Sequence, residues 1–415
     1  MEGLFLQTKS MATVAFTFNQ NKEDLTYLDQ NNQFSLKVAD QAHRFQSTHR
    51  HYTRTPLVSL SSLAKHIGIK NLYVKNEAHR FGLNAFKVLG GIYAIGRYLA
   101  DRLGRHIETL SFDELKTPEV KKELGDITFI SATDGNHGKG VAWAARELGH
   151  KAVIYLPKGA AKERVEAIAN EGEVAEVTDF NYDESVRLAA KKAKENGWVV
   201  VQDTAWEGYE KIPLWIMQGY STLAKETVYQ LGEDNAPTHI FLQAGVGSYA
   251  ASIAAYFVQY YRQESPKILL VEPHFANCYY QSFVANDSNF RVVDGDLDTI
   301  MAGLACGEPN PKAWEILRRY VDVSFSCDDS VAALGMRVLG HPIGDDERII
   351  SGESGAVTSG LVYSLIKDDT FKEAKEKLNI NEDSRILVIN TEGDTDQDHY
   401  LKVVWEGHYP YVSSH

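Results

Sequence analysis

Short unbroken apolar runs alternate along this chain with longer stretches whose apolar residues recur at the helical spacing. Ile127–Ser131, Ala152–Leu156, Val174–Val177 and Trp198–Val201 read as strands. Between them, Gly138–Leu148, Lys162–Asn170 and Glu184–Lys194 read as helices. A long helical stretch, Leu214–Leu231, leads into strand Ile240–Gln243, helix Tyr249–Tyr261 and strand Ile268–Glu272. Helix Ala356–Ile366 and strand Ile386–Asn390 close the series. This alternation predicts an α/β fold of open, mostly parallel twisted sheets flanked by helices. No internal repeat, low-complexity tract or Pro/Ser-rich linker divides the chain. A second lobe is therefore expected as an insertion: a small domain over 92–210 inside a large, discontinuous one built from 1–91 and 211–415.

Composition narrows the function classes. With 415 residues, 44% hydrophobic and 24% charged, the chain has the make-up of a globular protein large enough for two lobes. A net charge of −13 argues against nucleic acid and against an anionic membrane surface. No apolar run is long enough to span a bilayer, and Met1–Phe18 lacks the pattern of a secretory signal. Three cysteines make no disulfide framework, although Cys278 and Cys306 are free to pair if the fold joins them; free thiols in a reducing, cytoplasmic setting are the expectation. The 14 histidines form no metal-binding spacing.

Candidate chemistry begins at Asn84-Ala85-Phe86-Lys87-Val88-Leu89-Gly90-Gly91. A lysine packed into apolar sequence is unusual, and burial destabilises its ammonium. The resulting free amine forms Schiff bases with aldehydes. A surface lysine at a helix start is the competing reading of the same run. Three further segments bear on the choice. Ser131-Ala132-Thr133-Asp134-Gly135-Asn136-His137-Gly138 follows a strand and opens a helix, where backbone N–H groups and the helix dipole favour anions. Gln243-Ala244-Gly245-Val246-Gly247-Ser248 has the same setting and is a candidate phosphate cradle. It lacks the third glycine of a dinucleotide fingerprint. Gly352-Glu353-Ser354-Gly355-Ala356 and Ile389-Asn390-Thr391-Glu392-Gly393-Asp394 follow apolar runs and end in glycine turns, as loops at the carboxyl ends of parallel strands do. Each of these is also readable as an ordinary capped turn. One ligand satisfies all of them together: pyridoxal phosphate, with an aldehyde for the lysine, a phosphate for the glycine loop and a ring for the rest.

In these segments the chain resembles the fold-type-II pyridoxal-phosphate enzymes, which include the threonine and serine dehydratases and the tryptophan synthase β subunit. Phe86-Lys87 resembles the family's Schiff-base motif, and Ser131 to His137 its Ser-x-Gly-Asn-His substrate loop. Gly245 to Ser248 stands where the family has its phosphate loop, and Glu353 to Ala356 resembles the dehydratases' Glu-Pro-Ser-Gly-Ala. Two departures are Asp134, where a small residue is usual, and the phosphate loop, which is poorer in glycine here.

The resemblance implies a carbon–nitrogen lyase with Lys87 holding the cofactor and then acting as a base. It implies cofactor contacts from Asn136, Gly245, Val246, Gly247, Ser248, Glu353 and Thr391. Thr391 faces the pyridine nitrogen in this reading, and Glu353 either meets the ring edge or caps its own helix. The substrate is expected on Ser131, Thr133, Asp134, Gly135, Asn136, His137 and Asp203. Asp134, next to a site for a substrate carboxylate, makes electrostatic sense if the substrate carries a second ammonium. With Gln202-Asp203-Thr204-Ala205-Trp206, the resemblance within the family implies α,β-elimination of 2,3-diaminopropionate to pyruvate and two ammonia. Lys87, Asp134 and Asp203 are the candidate catalytic groups. Lys87 and Asp134 on opposite faces of the cofactor would take the α-proton from opposite enantiomers, so both D and L forms would react. A homodimer is implied by the family. Lys75 and Glu77 read as structural. The competing functions are a threonine, serine or D-serine dehydratase of the same fold, and a non-catalytic ligand-binding protein.

Overall fold

The computed structural model describes residues 13–23, 32–133, 135–171 and 174–412. Among the described residues, eleven strands form two sheets. In chain order they are β1 (Val14–Phe18), β2 (Leu57–Ser59), β3 (Asn71–Asn76), β4 (Thr128–Ala132), β5 (Lys151–Leu156), β6 (Val174–Val177), β7 (Val199–Val200), β8 (His239–Gln243), β9 (Lys267–Pro273), β10 (Val321–Cys327) and β11 (Arg385–Asn390). The larger sheet runs β1-β10-β9-β8-β11-β3-β2, and the smaller runs β6-β5-β4-β7. Every pairing in the smaller sheet is parallel. In the larger sheet only the edge strands β1 and β2 run antiparallel. The predicted α/β class, with two mostly parallel sheets, is the observed one.

Register brings the loops together. β11 pairs Asn390 with Asn76 of β3 on one side and Val388 with Phe241 of β8 on the other. The carboxyl ends of β3, β8 and β11 therefore stand side by side, and their following loops converge. An open parallel sheet binds its ligands at that end. Two loops clasp directly: Ala85 and Glu392 form an antiparallel bridge, Phe86 N–H donates to Thr391 O at 3.2 Å, and Gly393 N–H to Asn84 O at 3.0 Å. Asn84 takes the left-handed conformation, φ 63°, which asparagine tolerates better than most side chains.

The helix Val88–Arg102 begins immediately after Lys87 and is buried along most of its length. Its first turn is squeezed between two others. A Cβ at Gly90 would lie 2.7 Å from Ile216 and Tyr220 of helix Lys211–Leu231, and one at Gly140 would lie 2.8 Å from Val88 Cα. Glycine at these contacts lets helix Asn136–Glu147, which follows β4, approach the lysine turn. Helix Val88–Arg102 continues without interruption past residue 91, so the expected lobe boundary falls inside a helix and not in a linker.

Lys75, Glu77, Arg80 and Glu226 form a closed, fully buried ion cluster behind that turn. Lys75 Nζ donates to Glu226 Oε2 at 2.8 Å, and Arg80 bridges Glu77 and Glu226, both at 2.8 Å. Burial pushes the Glu226 carboxyl up, but Arg80 and Lys75 pull it down to about 2. Two positive and two negative groups cancel, which is how buried charge is tolerated. Lys75 and Glu77 hold the segment that leads to Lys87 and do not line the cavity described next.

Candidate active site

A cavity opens at the converging loops. Lys87, Asn136, Asp203, the loop Gly245–Ser248 and Thr391 all line it. Lys87 Nζ lies 3.3 Å from Asp203 Oδ2. Asp203 is almost wholly buried and also accepts from Tyr182 Oη at 3.3 Å and Gln202 Nε2 at 3.4 Å, while His137 Nδ1 stands 3.9 Å away. Burial alone would raise this carboxyl; the Lys87 ammonium, His137 and the Tyr182 hydrogen bond bring it down to about 2. It is a carboxylate at neutral pH.

The glycine loop is built from behind. Gly247 has φ 86°, and a Cβ there would strike the Tyr279 ring. Tyr279 Oη donates to Val246 O at 2.8 Å, and Asn310 N–H donates to the same oxygen at 2.9 Å. Asn310 Nδ2 also donates to Ser248 Oγ at 2.7 Å. Helix Ser248–Tyr261 starts here, and the first N–H groups of a helix have no carbonyl partner within it. Across the cavity, Gln243 Nε2 donates to Thr391 Oγ1 at 3.1 Å and to Ser354 O at 3.0 Å, while its Oε1 is buried without a hydrogen bond.

The predicted site residues divide. Lys87, Asn136, Asp203, Gly245, Val246, Gly247, Ser248 and Thr391 meet at one cavity. Gly135 lines an adjacent cleft, close to Arg164. Ser131, Thr133 and His137 turn inward. Ser131 Oγ donates to Gln202 Oε1 at 3.0 Å, Thr133 Oγ1 accepts from Gly135 and Gly138 N–H, both at 2.9 Å, and His137 Nε2 meets Val201 O at 2.9 Å. They shape the loop from below and do not line the cavity. Glu353, the first residue of its helix, likewise faces away, its carboxylate on His399 Nδ1 at 2.5 Å, while the next residue, Ser354, lines the cavity. Asp134 lies outside the described residues. Tyr182, Gln243, Tyr279, Asn310 and Glu392 are contacts not singled out in the sequence. Gln243 and Glu392 sit within the quoted loops; Tyr182, Tyr279 and Asn310 carry no local signal.

These groups fit pyridoxal phosphate. A cavity-lining amine stands beside a carboxylate, a helix-opening glycine loop offers N–H groups to a phosphate, and a hydroxyl and an amide line the space between. All three cysteines are buried and stand outside any disulfide. Among the described residues no helix is long and apolar enough to cross a membrane, and no group of three or more His, Cys, Asp and Glu side chains forms a metal site.

Comparison with known proteins agrees with this geometry. Residues 48–392 match the family model described as pyridoxal-phosphate dependent enzyme. The chain is 54% identical over 375 residues to the diaminopropionate ammonia-lyase of Escherichia coli (strain K12), covering 90% of this chain and 93% of that one. The fold is similar to the crystal structure of the Escherichia coli diaminopropionate ammonia lyase in complex with D-serine, with a TM-score of 0.89, 50% identity and coverage of 95% and 98%. It is also similar to the same enzyme in complex with an aminoacrylate-PLP azomethine reaction intermediate, with a TM-score of 0.87, 49% identity and coverage of 96% and 99%.

Proposed function

The chain belongs to the pyridoxal-phosphate dependent enzyme family, and from that premise we propose that it catalyses α,β-elimination of 2,3-diaminopropionate, D or L, to pyruvate and two ammonia. The carrying observation is the meeting of Lys87, Asp203, Asn136, Thr391 and the Gly245–Ser248 loop around one cavity. Near-full-length likeness to diaminopropionate ammonia-lyases supports the substrate. Bound here, pyridoxal phosphate supplies an electron-poor ring that stabilises negative charge at the substrate's α-carbon.

The chain's own residues do the rest. Lys87 would hold the aldehyde and, when released, take the α-proton. Asp203, ionised at 3.3 Å, stabilises positive charge on Lys87 Nζ and gives that nitrogen a proton partner. The Gly245–Ser248 N–H groups would hold the phosphate, with Tyr279 and Asn310 bracing the loop. Gln243 donates to the Thr391 oxygen, which leaves the Thr391 hydroxyl hydrogen available to a ring nitrogen held there. A neutral hydroxyl partner would leave that nitrogen less protonated than a carboxylate would, which would favour loss of the β-amine. Ser131, Thr133 and His137 order the loop that carries Gly135 and Asn136 for the substrate carboxylate. Asp134 is assigned as the second base, and as a partner for the substrate's second ammonium.

The same reading includes a cytoplasmic homodimer and two lobes, 92–210 against 1–91 with 211–415. The four-stranded sheet lies wholly within the first span, which supports that division.

The test is to incubate the purified protein with pyridoxal phosphate and D- or L-2,3-diaminopropionate, D- or L-serine or L-threonine. Keto acid, ammonia and the cofactor's visible absorbance are measured on one sample. Pyruvate with two ammonia per diaminopropionate is expected from both enantiomers. Turnover of the hydroxy amino acids alone would overturn the substrate, and absence of both absorbance and keto acid would overturn the enzyme.

A further inference from the structure

Glu392 is a buried carboxylate on the cavity wall with no part in the chemistry above. It is 4% exposed and follows Thr391 in the loop after β11. Its Oε2 accepts the Asn136 amide N–H at 2.5 Å, and its Oε1 accepts the backbone N–H of Ser354 at 3.2 Å. Its backbone is pinned as well, by the bridge to Ala85 and by Gly352 N–H donating to Glu392 O at 3.2 Å. Three cavity-lining segments thus meet at one residue: the lysine turn on its backbone, and the start of helix Glu353–Lys367 and of helix Asn136–Glu147 on its side chain.

A carboxylate only accepts hydrogen bonds, so the nitrogen of the Asn136 amide, and not its oxygen, must face Glu392. Without the carboxylate, the amide is free to present either end to the cavity. Hydrogen bonds made in a buried, low-dielectric place hold their partners firmly.

We propose that Glu392 is a positioning residue, fixing the Asn136 amide in the one orientation in which it meets the ring of bound pyridoxal phosphate. The inference rests on the functional reading above. Glu353, the glutamate that the sequence motif singles out, is turned to His399 instead. Glu392 takes a place on the wall that Glu353 does not reach.

Apoenzyme is titrated with pyridoxal phosphate for the wild type, E392A, E392Q, N136A and the double variant N136A/E392A. Cofactor affinity and the position of the visible absorbance band are read. E392A is expected to weaken binding about tenfold and to move the band as N136A does, with the double variant no worse than N136A alone. E392Q should fall between, since one amide oxygen must serve two donors. Native affinity and band in E392A, while N136A alters both, would overturn the proposal. So would single-variant losses that multiply in the double. If E392A fails to fold by circular dichroism, E392Q decides on the same criteria. A wild-type protein that develops no visible band with the cofactor defeats the functional reading itself, which is a different result from a band insensitive to Glu392.

Discussion

Lys87 Nζ and Asp203 Oδ2 stand 3.3 Å apart, although they reach the cavity from different sheets. Lys87 comes from the turn after β3, and Asp203 from the segment after β7. The pairing keeps Asp203 ionised in a place where burial alone would protonate it.

Asp203→Asn should lower kcat on diaminopropionate by about 10²-fold, as loss of a proton-transfer partner does. Its carboxyl is held near 2, below the usual 3.8, so its contribution to stability is present above 3.8 and lost only as pH falls through about 2. Asp203 therefore does not titrate between pH 5 and 9. Rates measured over that range should show a lower plateau in Asp203→Asn with an unmoved acid limb. A limb that shifts would assign it to Asp203 after all.

Lys87→Ala should abolish turnover, by a factor of at least about 10³, and should remove the visible band formed with pyridoxal phosphate. Near-wild-type turnover in a folded Lys87→Ala protein would sink the assignment.

Gly247→Ala should weaken cofactor binding by more than about tenfold, because φ is 86° and the new methyl meets the Tyr279 ring. Tyr279→Phe keeps the ring and loses one hydrogen bond to Val246 O, so its effect should be smaller, about 1 kcal/mol. Cofactor titration of both apoproteins checks the order.

If Asp134 is the second base, Asp134→Asn should lose activity on D-diaminopropionate far more than on the L form, by about 10²-fold. Equal losses on the two enantiomers would remove that role. Parallel progress curves for the two enantiomers decide it.

Glu226→Ala leaves Lys75 and Arg80 buried with one counter-charge between them. A loss of about 3–5 kcal/mol is expected in urea unfolding. A variant as stable as the wild type would show that water or rearrangement neutralises the cluster.

Much of the fold was legible because its central strands are unbroken apolar runs between helical patterns. β5 and β8 are buried along nearly their whole length and read accordingly. β10 escaped for the opposite reason. Its Ser324 and Ser326 alternate with apolar residues and suggest a solvated face, yet both are buried, Ser326 beneath His274 and Asn277. Edge strand β1 finds its partner some three hundred residues away, which local pattern does not reveal. At the site, motif spacing located the right loops but not which side chains in them face the cavity. Thr133 caps its helix and Glu353 meets His399, while their neighbours Asn136, Ser354 and Glu392 take the wall. Where a helix begins decides that, because each residue turns the next side chain by about 100° around the axis.

The bridge between Ala85 and Glu392 sets an order of events during synthesis. Lys87 leaves the ribosome early, but the strip that backs it is made about 300 residues later, roughly 15–60 s at ordinary elongation speed. For that interval the lysine turn has no Thr391 and no Glu392 beside it. A nascent chain stalled before β11 carries its reactive amine and its glycine loop without the wall that closes them into a cofactor site. Cofactor capture is therefore among the last steps of maturation, and a chain cut before residue 391 carries the lysine without the site.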